Sequence, residues 1–365
     1  MYLIVTRNFP PEVGGMQMLM WGLSNSLAKH GNVKVFAESH KDELVHDKNL
    51  KFEITRVSGI KILRKYRKAY LINDYLKKNK LVKIVIADHW KSLENIDFNL
   101  VKNKKTICLI HSKEINHEIG TNLNKRMNKS LSKVNHIISN SNFTKDLAIN
   151  CNVDKNKITV INPGVETYIN PSNENIIKAK ELFNDAFPKL ITVSRFDKRK
   201  NHEKVIMNIR NLKEKFPKIK YLCVGFGEEE NNLKQLVNKL SLENQVLFIK
   251  DISSNFKSAL LSESDLFIMP SIIYKKSVEG FGISFIEAAQ NGLASIGGKD
   301  GGASDAIIHD QTGFICDGND LSSIYESIIN LLDNNKYKKF GENAKEFSKL
   351  FVWDLIIKKY LKLMD

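Results

Sequence analysis

Short β-branched runs alternate with helical patterns along nearly the whole of this chain, and that alternation most limits the fold it can adopt. Such a rhythm is typical of parallel sheets wrapped by helices, so the sequence predicts a doubly wound α/β protein. The first helix is expected to begin near Gly15 and to end at Gly31, where glycine is well placed to terminate it. The predicted strands cover residues 2–6, 33–37, 83–87, 106–110, 136–139 and 158–161 in the first half and 190–193, 221–224, 246–249, 266–269, 294–296 and 314–316 in the second.

A break in this rhythm divides the chain. A length of 365 residues exceeds the roughly 100 to 200 that one average domain contains, which favours two domains. Asn162, Pro163 and Gly164 interrupt the pattern, and the polar stretch 170–175 follows them. We therefore place the linker between the two domains there. The last helical pattern, at residues 346–364, carries an aromatic stripe that we interpret as core.

Composition argues against several classes of protein. The 4 cysteines have no paired spacing, which disfavours a disulfide framework or a cysteine metal site and favours a reducing cytoplasm. No apolar run approaches the roughly 20 residues that span a bilayer, so contact with a membrane is expected only at its surface. The 9 histidines lack zinc-binding spacing, and no metal site is predicted. The formal net charge of +15 requires an anionic partner, which nucleic acid, acidic lipid or a phosphorylated substrate would each supply.

The segment V-E-G-F-G-I-S-F-I-E joins two carboxylates to a glycine turn at the expected start of a helix. Glycine lets the backbone approach a ligand closely, and the positive end of a helix suits a diphosphate. Glu287, about one turn into the helix, is then placed to bind ribose hydroxyls, and Glu279 is placed to reach a sugar. A tight turn with two solvated glutamates is the alternative. The backbone expected to face the diphosphate belongs to Phe281, Gly282, Ile283 and Ser284.

A basic segment, S-R-F-D-K-R-K-N-H, follows one of the predicted strands. Arg195 and Lys200 would project from the carboxyl end of that strand, where open α/β sheets bind ligands. Two fixed cations beside a diphosphate would stabilise the charge that develops as it leaves a sugar, which is the task of a metal in other transferases. A solvated basic loop is the alternative interpretation.

Two glycine pairs follow predicted strands. Gly14 and Gly15 end a proline-stiffened loop after the first strand, and this loop resembles one that faces a phosphate. It lacks the third glycine and the spacing of the dinucleotide-binding fingerprint. Gly225 and Gly227 form only a fragment of that fingerprint, and such a fragment is a weak signal.

Two other strand ends carry candidate residues. His111 follows the predicted strand 106–110 and places an imidazole at the edge of the first sheet, with an ordinary loop residue as the alternative. Lys250 and Asp251 follow a strand in the second half and mark the loop expected to read the base of a nucleotide.

The stretch 61–80 is strongly basic, with Asp74 as its one acid, and apolar residues recur in it at helical spacing. A basic amphipathic helix of this kind lies on anionic membranes, while a solvated surface helix over a domain core is an equal alternative. The cations expected at the membrane are Lys61, Arg64, Lys65, Arg67 and Lys68.

Taken together, these segments resemble glycosyltransferase family 4, the retaining GT-B enzymes, over essentially the whole chain. The most specific part is the pattern of Glu, seven residues and Glu that runs from Glu279 to Glu287. The likeness is strongest to phosphatidylinositol mannosyltransferases and related cell-envelope enzymes, although Gln17 stands where many members carry Glu and Asn201 where glycine is common. The other matching features, in chain order, are Gly14, Gly15, His111, Arg195, Lys200 and the segment D-G-G-A-S-D-A-I at residues 300–307.

The resemblance implies a fold and a division of labour. Two Rossmann-like domains would face each other across a cleft. Residues 1–165 would bind the acceptor, with the final helix at 346–365 crossing back to them, and residues 166–345 would bind the nucleotide-sugar donor. Glu279 would hold sugar hydroxyls and Glu287 the ribose, and the two cations Arg195 and Lys200 would hold the diphosphate. His111 and the glycine pair after the first strand would lie next to the reacting sugar.

The resemblance also implies a reaction. A hexose would move with retained configuration from GDP-mannose or a UDP-hexose, without a metal or other cofactor, and the departing diphosphate would help to deprotonate the acceptor. The acceptor is expected to be a lipid or lipid-linked glycan, with the protein cytoplasmic and peripheral on the inner face of the membrane. A soluble acceptor is the alternative. The rival classes are another GT-B enzyme, such as a sugar-nucleotide epimerase or a phosphorylase, and a basic module that binds membrane or nucleic acid.

Overall fold

The computed structural model describes residues 1–364, apart from the side chain of Lys61. The chain divides into two compact units, one formed by Met1–Glu166 with Val352–Asp365 and the other by Thr167–Phe351. Every pair of neighbouring strands in the two sheets is parallel. The prediction of two Rossmann-like α/β domains is confirmed.

The strands of the first unit are β1 (Tyr2–Val5), β2 (Val33–Glu38), β3 (Glu53–Val57), β4 (Ile84–Ala87), β5 (Lys105–Ile110), β6 (His136–Ser139) and β7 (Ile158–Val160). Those of the second unit are β8 (Lys189–Val193), β9 (Lys220–Val224), β10 (Val246–Ile249), β11 (Leu266–Met269), β12 (Ala294–Gly298) and β13 (Gly313–Cys316). Their spatial orders are β3-β2-β1-β4-β5-β6-β7 and β10-β9-β8-β11-β12-β13. The strand order reverses between β1 and β4 in one sheet and between β8 and β11 in the other, and open α/β sheets bind ligands at such positions.

The helices connect these strands. They are α1 (Gly15–Ala28), α2 (Glu43–His46), α3 (Lys61–Lys78), α4 (Trp90–Leu93), α5 (Phe98–Val101), α6 (Ser112–Ile115), α7 (Asn122–Leu131), α8 (Asn142–Asn150), α9 (Asn173–Phe183), α10 (His202–Lys215), α11 (Glu230–Lys239), α12 (Ser254–Ser262), α13 (Ile283–Gln290), α14 (Leu321–Leu332), α15 (Lys336–Ser348) and α16 (Trp353–Met364). Among the residues that the structure describes, no helix combines the length and the apolar character needed to cross a bilayer.

Strand β3 is the one strand that the sequence pattern did not predict. It lies at the edge of the first sheet and pairs only with β2 among the described strands. Its sequence E-I-T-R-V mixes charged and apolar residues, and only Val57 is fully buried. An edge strand keeps one side in water, so it does not need the continuous β-branched run that marks a central parallel strand.

The final helix completes the core of the first unit. Trp353, Ile356 and Tyr360 belong to the same buried cluster as Leu23 and Leu27 of α1. Burying a large apolar side chain stabilises a fold by about 1.5–3 kcal/mol, so this stripe contributes substantially to the unit. The aromatic stripe is core, as its spacing predicts.

The prediction of one helix over residues 346–364 is wrong in the middle of that range. Helix α15 ends at Ser348, a 3-10 turn covers Lys349–Phe351, and α16 begins at Trp353. The interruption falls where the chain passes from the second unit to the first, at Val352. Val352 also forms a parallel β-bridge with Val165, a pairing that a continuous helix would not allow.

Candidate active site

The segment after β8 is held firmly at the edge of the second sheet. Asp197 accepts a hydrogen bond from the backbone N–H of Lys200 at 3.2 Å and so caps a short 3-10 turn. Asn201 follows with a left-handed backbone at φ 63°, which asparagine tolerates better than most residues and which explains why glycine is common here in similar enzymes. The Asn201 amide donates to the carbonyls of Pro270 at 2.9 Å and Gly318 at 2.7 Å, which fixes the backbone beside Lys200.

Two cations from this segment converge on one carboxylate oxygen. Lys200 Nζ and Arg199 Nη1 both donate to Glu279 Oε2, Arg199 at 2.7 Å and Lys200 in a very short contact. Lys200 and Glu279 are both buried. The structure thus joins two of the predicted motifs, which lie 79 positions apart in sequence, at a single ion pair.

These contacts determine the charge of the Glu279 carboxylate. Burial alone would raise its pKa, but the charges and hydrogen bonds of Lys200 and Arg199 outweigh burial and lower the pKa to about 2. Burial lowers the pKa of the Lys200 ammonium, and the Glu279 charge offsets only part of that effect. Glu279 is therefore an anion at neutral pH, held by two cations in the loop before α13.

Arg195 and Arg199, two arginines of this segment, have different surroundings. Arg195 is exposed and forms no ion pair within the described part of the chain. Arg199, which the sequence analysis did not select, contacts Glu279 and also Asp197 at 3.3 Å. The run K-R-K was the available signal for Arg199, but nothing in a sequence tells which member of such a run is buried.

The glycine turn before α13 has the geometry that the sequence predicts. Gly282 is the N-cap residue of α13, with a left-handed φ of 90°, and a Cβ there would lie 2.5 Å from the Phe285 ring. The first-turn amides of Ile283 and Ser284 have no acceptor within the helix and so suit an anion. Phe281 is buried against Phe351, and its side chain therefore has a packing role.

Glu287 lies on α13 and pairs with a different cation. Its Oε1 accepts a hydrogen bond from Lys257 Nζ of α12 at 2.7 Å, and both side chains are about one-third exposed. Glu279 and Glu287 thus sit in separate ion pairs, one buried and one open to solvent. Lys257 lies in an unremarkable stretch of sequence, and no local pattern could have identified it.

Gly225 and Gly227 have a packing explanation. A Cβ at Gly225 would lie 2.0 Å from the carbonyl oxygen of Ser194, and one at Gly227 would lie 2.3 Å from that of Phe196. The loop after β9 therefore runs against the segment after β8, and Phe196 N–H donates to the Phe226 carbonyl at 2.9 Å. These glycines therefore allow the loops after β8 and β9 to pack closely against each other.

Lys250 and Asp251 follow β10 and are both exposed. Asp251 has a left-handed backbone at φ 55°. Because β10, β9, β8 and β11 are consecutive neighbours in the sheet, this loop lies on the same edge as the Lys200 segment, two strands away. Its role in reading a base stays a prediction.

His111 lies at the carboxyl end of β5 in the first unit, as its position predicts, but it is buried. Its Nε2 lies 3.1 Å from the Asp88 carbonyl oxygen, and its backbone N–H donates to the Glu114 carboxylate in a very short contact. Burial lowers the pKa of the His111 imidazole and raises the pKa of Glu114 to about 8. His111 is therefore neutral at physiological pH, with its Nε2–H donating to the Asp88 carbonyl.

The glycine pair of the first unit opens α1. Gly14 is its N-cap residue and Gly15 its first residue. A Cβ at Gly14 would lie 2.4 Å from Oε1 of Gln17, so Gly14 leaves room for that buried side chain. That this turn faces a phosphate stays a prediction.

Asp88 organises this edge of the first sheet, and the sequence analysis missed it. Its Oδ2 accepts hydrogen bonds from Thr6 Oγ1 at 2.9 Å, from Arg7 N–H at 2.8 Å and from the Asn8 side chain at 3.2 Å, and its Oδ1 accepts from Ser92 at 2.7 Å. Its position directly after β4, at the reversal of strand order, was a usable signal.

The prediction that Lys68 contacts a membrane is wrong. Its side chain is only 4% exposed, and its Nζ donates to the Thr6 carbonyl at 2.9 Å. Lys68 also balances the charge of Asp88: burial raises the pKa of that carboxyl, but the Lys68 charge and other contacts lower it more. A basic residue on an amphipathic helix can thus belong to the buried face when a carbonyl accepts its hydrogen bond and a buried carboxylate balances its charge.

The rest of α3 is divided between partners and solvent. Arg64 pairs with Glu38 at 2.7 Å, whereas Lys65 and Arg67 are exposed. The side chain of Lys61 lies outside the described residues. Four large apolar residues of the helix are more than half exposed: Ile62, Leu63, Tyr66 and Tyr70.

Metal ligands do not cluster in the described residues, where no group of three or more His, Cys, Asp or Glu side chains is arranged to hold an ion. The independence of the reaction from metal stays a prediction.

Two family models match the chain. The model described as Glycosyltransferase Family 4 matches residues 13–168, and the model described as Glycosyl transferases group 1 matches residues 173–347. Between them they contain Asp88, His111, Lys200, Glu279 and Glu287. The fold and these matches define a glycosyltransferase. The chain belongs to the family 4 glycosyltransferases with a group 1 glycosyl transferase domain, and the predicted enzyme class is confirmed.

Individual relatives are distant but extend over the whole chain. An uncharacterized glycosyltransferase of Methanocaldococcus jannaschii is 26% identical over 398 residues, covering 100% of this chain and 97% of its own. A GDP-mannose-dependent monoacylated alpha-(1-6)-phosphatidylinositol monomannoside mannosyltransferase of Corynebacterium glutamicum is 24% identical over 343 residues, covering 91% and 88%. The crystal structure of the Anabaena protein HepE in complex with UDP has a TM-score of 0.83 at 16% identity, covering 99% and 98% of the two chains, and shares the fold.

Proposed function

We propose that this glycosyltransferase moves a hexose from a nucleotide diphosphate sugar to a lipid or lipid-linked glycan, with retained configuration and without a bound metal. The observation that carries the proposal is the contact between Lys200 and Glu279 beside the glycine turn of α13. A cation that could hold a diphosphate and an anion that could accept from sugar hydroxyls thus lie together before a helix start that favours negative charge, and this supports the proposal.

The donor would occupy the edge of the second sheet from β11 to β10. Its diphosphate would lie at the start of α13, near Lys200, and its sugar would donate hydroxyl hydrogen bonds to Glu279. The ribose would bind Glu287, whose solvent-exposed pairing with Lys257 is easily shared with a ligand. Exposed Arg195 would close on the diphosphate from solvent, because no described carboxylate holds it elsewhere.

GDP-mannose and a UDP-hexose are the two candidate donors. The names of several relatives, in Corynebacterium, Mycolicibacterium and Mycobacterium, specify GDP-mannose. The solved structures of similar fold include one with UDP and one with UDP-glucose. The greater sequence similarity of the first group favours GDP-mannose.

The chemistry would need no protein nucleophile. The departing diphosphate would take the proton of the acceptor hydroxyl on the same face of an oxocarbenium-like sugar, which retains configuration. Neutral His111 would accept a hydrogen bond from the sugar without adding a charge that competes with the developing cation. Lys200 and the α13 amides would stabilise the leaving charge, the task that a divalent ion performs in other enzymes.

Helix α3 supports a lipid-linked acceptor. The side chains of Ile62, Leu63 and Tyr66 expose apolar surface beside the exposed cations Lys65 and Arg67. Such a helix lies in the interface of an anionic membrane, where each cation near the surface contributes on the order of 1 kcal/mol. A membrane-bound acceptor would then reach the enzyme by diffusion within the bilayer surface.

A thermal-shift experiment tests the donor site. UDP, GDP, UDP-glucose and GDP-mannose are added to the native protein with and without EDTA. One nucleotide series should raise the unfolding temperature equally in both conditions, since a ligand at 100 times its Kd stabilises a protein by about 2.7 kcal/mol. Glu287→Gln should weaken the shift, while Glu243→Gln, an exposed residue on the same unit, should not. The absence of a shift with all four nucleotides would refute the proposal, and a shift lost in EDTA would refute metal independence.

A further inference from the structure

Arg199 is the second cation on Glu279, and each of its two terminal nitrogens has at least one acceptor. Its Nη1 lies 2.7 Å from Glu279 Oε2 and 3.5 Å from the Val278 carbonyl, and its Nη2 lies 3.3 Å from Asp197 Oδ2. The backbone is also fixed, since the Arg199 carbonyl accepts a hydrogen bond from Ile272 N–H at 2.9 Å. A planar guanidinium held at several fixed acceptors is a stationary partner.

Lys200 is held differently. Its ammonium is a point charge on a flexible four-carbon stem, and Glu279 is its one carboxylate partner in the described residues. Its other side-chain contact is with the sulfur of Met269 at 3.4 Å, which is a weak acceptor. Of the two cations on Glu279, Lys200 is the one that can turn toward a new anion.

We propose that Arg199 is a positioning residue that holds the Glu279 carboxylate in place and thereby frees Lys200 to bind a diphosphate. This inference rests on the proposed function, because it requires a diphosphate at the carboxyl end of β8. It assigns the two adjacent cations different tasks: Lys200 contacts the ligand, and Arg199 acts through Glu279.

Charge balance gives the physical reason. The cluster contains two cations, Arg199 and Lys200, and two anions, Asp197 and Glu279. If Lys200 were the sole partner of Glu279, its departure would leave a buried carboxylate unpaired, which is strongly unfavourable. With Arg199 in place, Glu279 stays paired while Lys200 moves. The free-energy cost of turning Lys200 toward a diphosphate is therefore lower. Glu279 also stays ionised and oriented for the sugar.

A double-mutant cycle on nucleotide affinity tests the inference without an acceptor. The Kd values of UDP and GDP are measured by calorimetry for the native protein, R199M, E279Q and the double variant R199M/E279Q. R199M should raise the Kd of the nucleotide that binds by about tenfold, because it removes the hydrogen bond between Arg199 and the charged Glu279. In the E279Q background Lys200 has no carboxylate to leave, so adding R199M should change the Kd by less than about twofold.

The controls separate charge from folding. R210M removes an exposed arginine of α10 and should leave both Kd values unchanged. R199K keeps the positive charge but loses the planar fork, so it should recover part of the affinity that R199M loses, with a native thermal unfolding transition. An R199K protein as weak as R199M would assign the effect to packing and overturn the inference.

The remaining outcomes are also decisive. An equal loss from R199M in both backgrounds would mean that Arg199 contacts the diphosphate itself, and it would overturn the positioning role while leaving the proposed function intact. Unchanged affinity in R199M would overturn it as well. If the native protein bound neither UDP nor GDP, the proposed function would fail, and this inference would fail with it.

Discussion

The indole of Trp353 lies directly on Gly22, so closely that a Cβ atom at Gly22 would stand 2.0 Å from Nε1 of the ring. Gly164 meets the same ring, where a Cβ would lie 2.5 Å from Cδ2. Gly22 of α1 and Gly164, which have no side chains, thus leave the space that the Trp353 ring of α16 fills.

Gly22→Ala should therefore destabilise the first unit by about 1–3 kcal/mol, the usual cost of overpacking a core. Urea unfolding followed by tryptophan fluorescence measures this, because Trp21, Trp90 and Trp353 all belong to that unit. Met18→Ala, at a partly exposed position of the same helix, is the matched control and should cost much less. Equal effects of the two substitutions would contradict this close packing of Trp353 on Gly22.

Lys200→Ala and Glu279→Ala should each lower turnover by about a hundredfold or more, since each removes a preorganised charge from the transition state. The measurement is the release of UDP or GDP from the corresponding nucleotide sugar in the presence of acceptor lipids. Lys239→Ala, an exposed position on α11, should keep native turnover. Near-native rates in both site variants would remove these residues from the active site.

Stability should depend on pH through Glu279. Its pKa in the fold, about 2, lies below the ordinary glutamate value of 4.5, so the unfolded chain binds the proton more readily. The stabilisation is present above pH 4.5 and is lost as the pH falls toward 2, and it is on the order of 3 kcal/mol at most. Glu279→Gln should flatten the fall in unfolding free energy between pH 5 and pH 3, as measured by urea titrations at several pH values. An unchanged slope would show that Glu279 is not held as a buried anion.

Helix α3 should separate membrane binding from stability. Lys65→Met with Arg67→Met should weaken binding to vesicles of phosphatidylglycerol and phosphatidylcholine, by about thirtyfold for two cations near the surface. Lys68→Met should instead lower the free energy of unfolding by a few kcal/mol, because it leaves buried Asp88 without its cation. Co-sedimentation with vesicles and urea unfolding measure the two effects.

The converse pattern would reverse this assignment of the helix faces. Loss of vesicle binding in the stable Lys68→Met protein alone would contradict the buried position of that residue. Equal binding of all variants would argue for a soluble acceptor.

The sequence was informative wherever one local pattern determined the outcome. Twelve of the described strands are short, mostly apolar runs, and each was predicted within two residues of its observed bounds. Strand β3 was missed because its pairing depends on an edge position that is set by the rest of the sheet. The positions of His111 and of the segment that carries Lys200, each after the carboxyl end of a strand, followed from the strand pattern.

Side-chain partners could not be predicted in the same way. Lys68 and Lys65 look alike in sequence, and only the carbonyl and carboxylate beneath Lys68 decide that it is buried. Arg199 and Lys257 acquire their partners, Glu279 and Glu287, across 80 and 30 positions of chain. Such pairs depend on the packing of helices against strands, which periodicity does not specify.

The place of α16 in the first unit has a consequence for biosynthesis. Residues 1–166 leave the ribosome first, yet the cluster around Leu23 and Leu27 lacks Trp353, Ile356 and Tyr360 until the end of translation. The apolar surface that α16 later covers therefore stays exposed in the nascent first half while the 185 residues of the second unit are made. A chaperone that shields such apolar surfaces should therefore engage this chain early, and a truncation that removes α16 should misfold the unit formed by the first 166 residues.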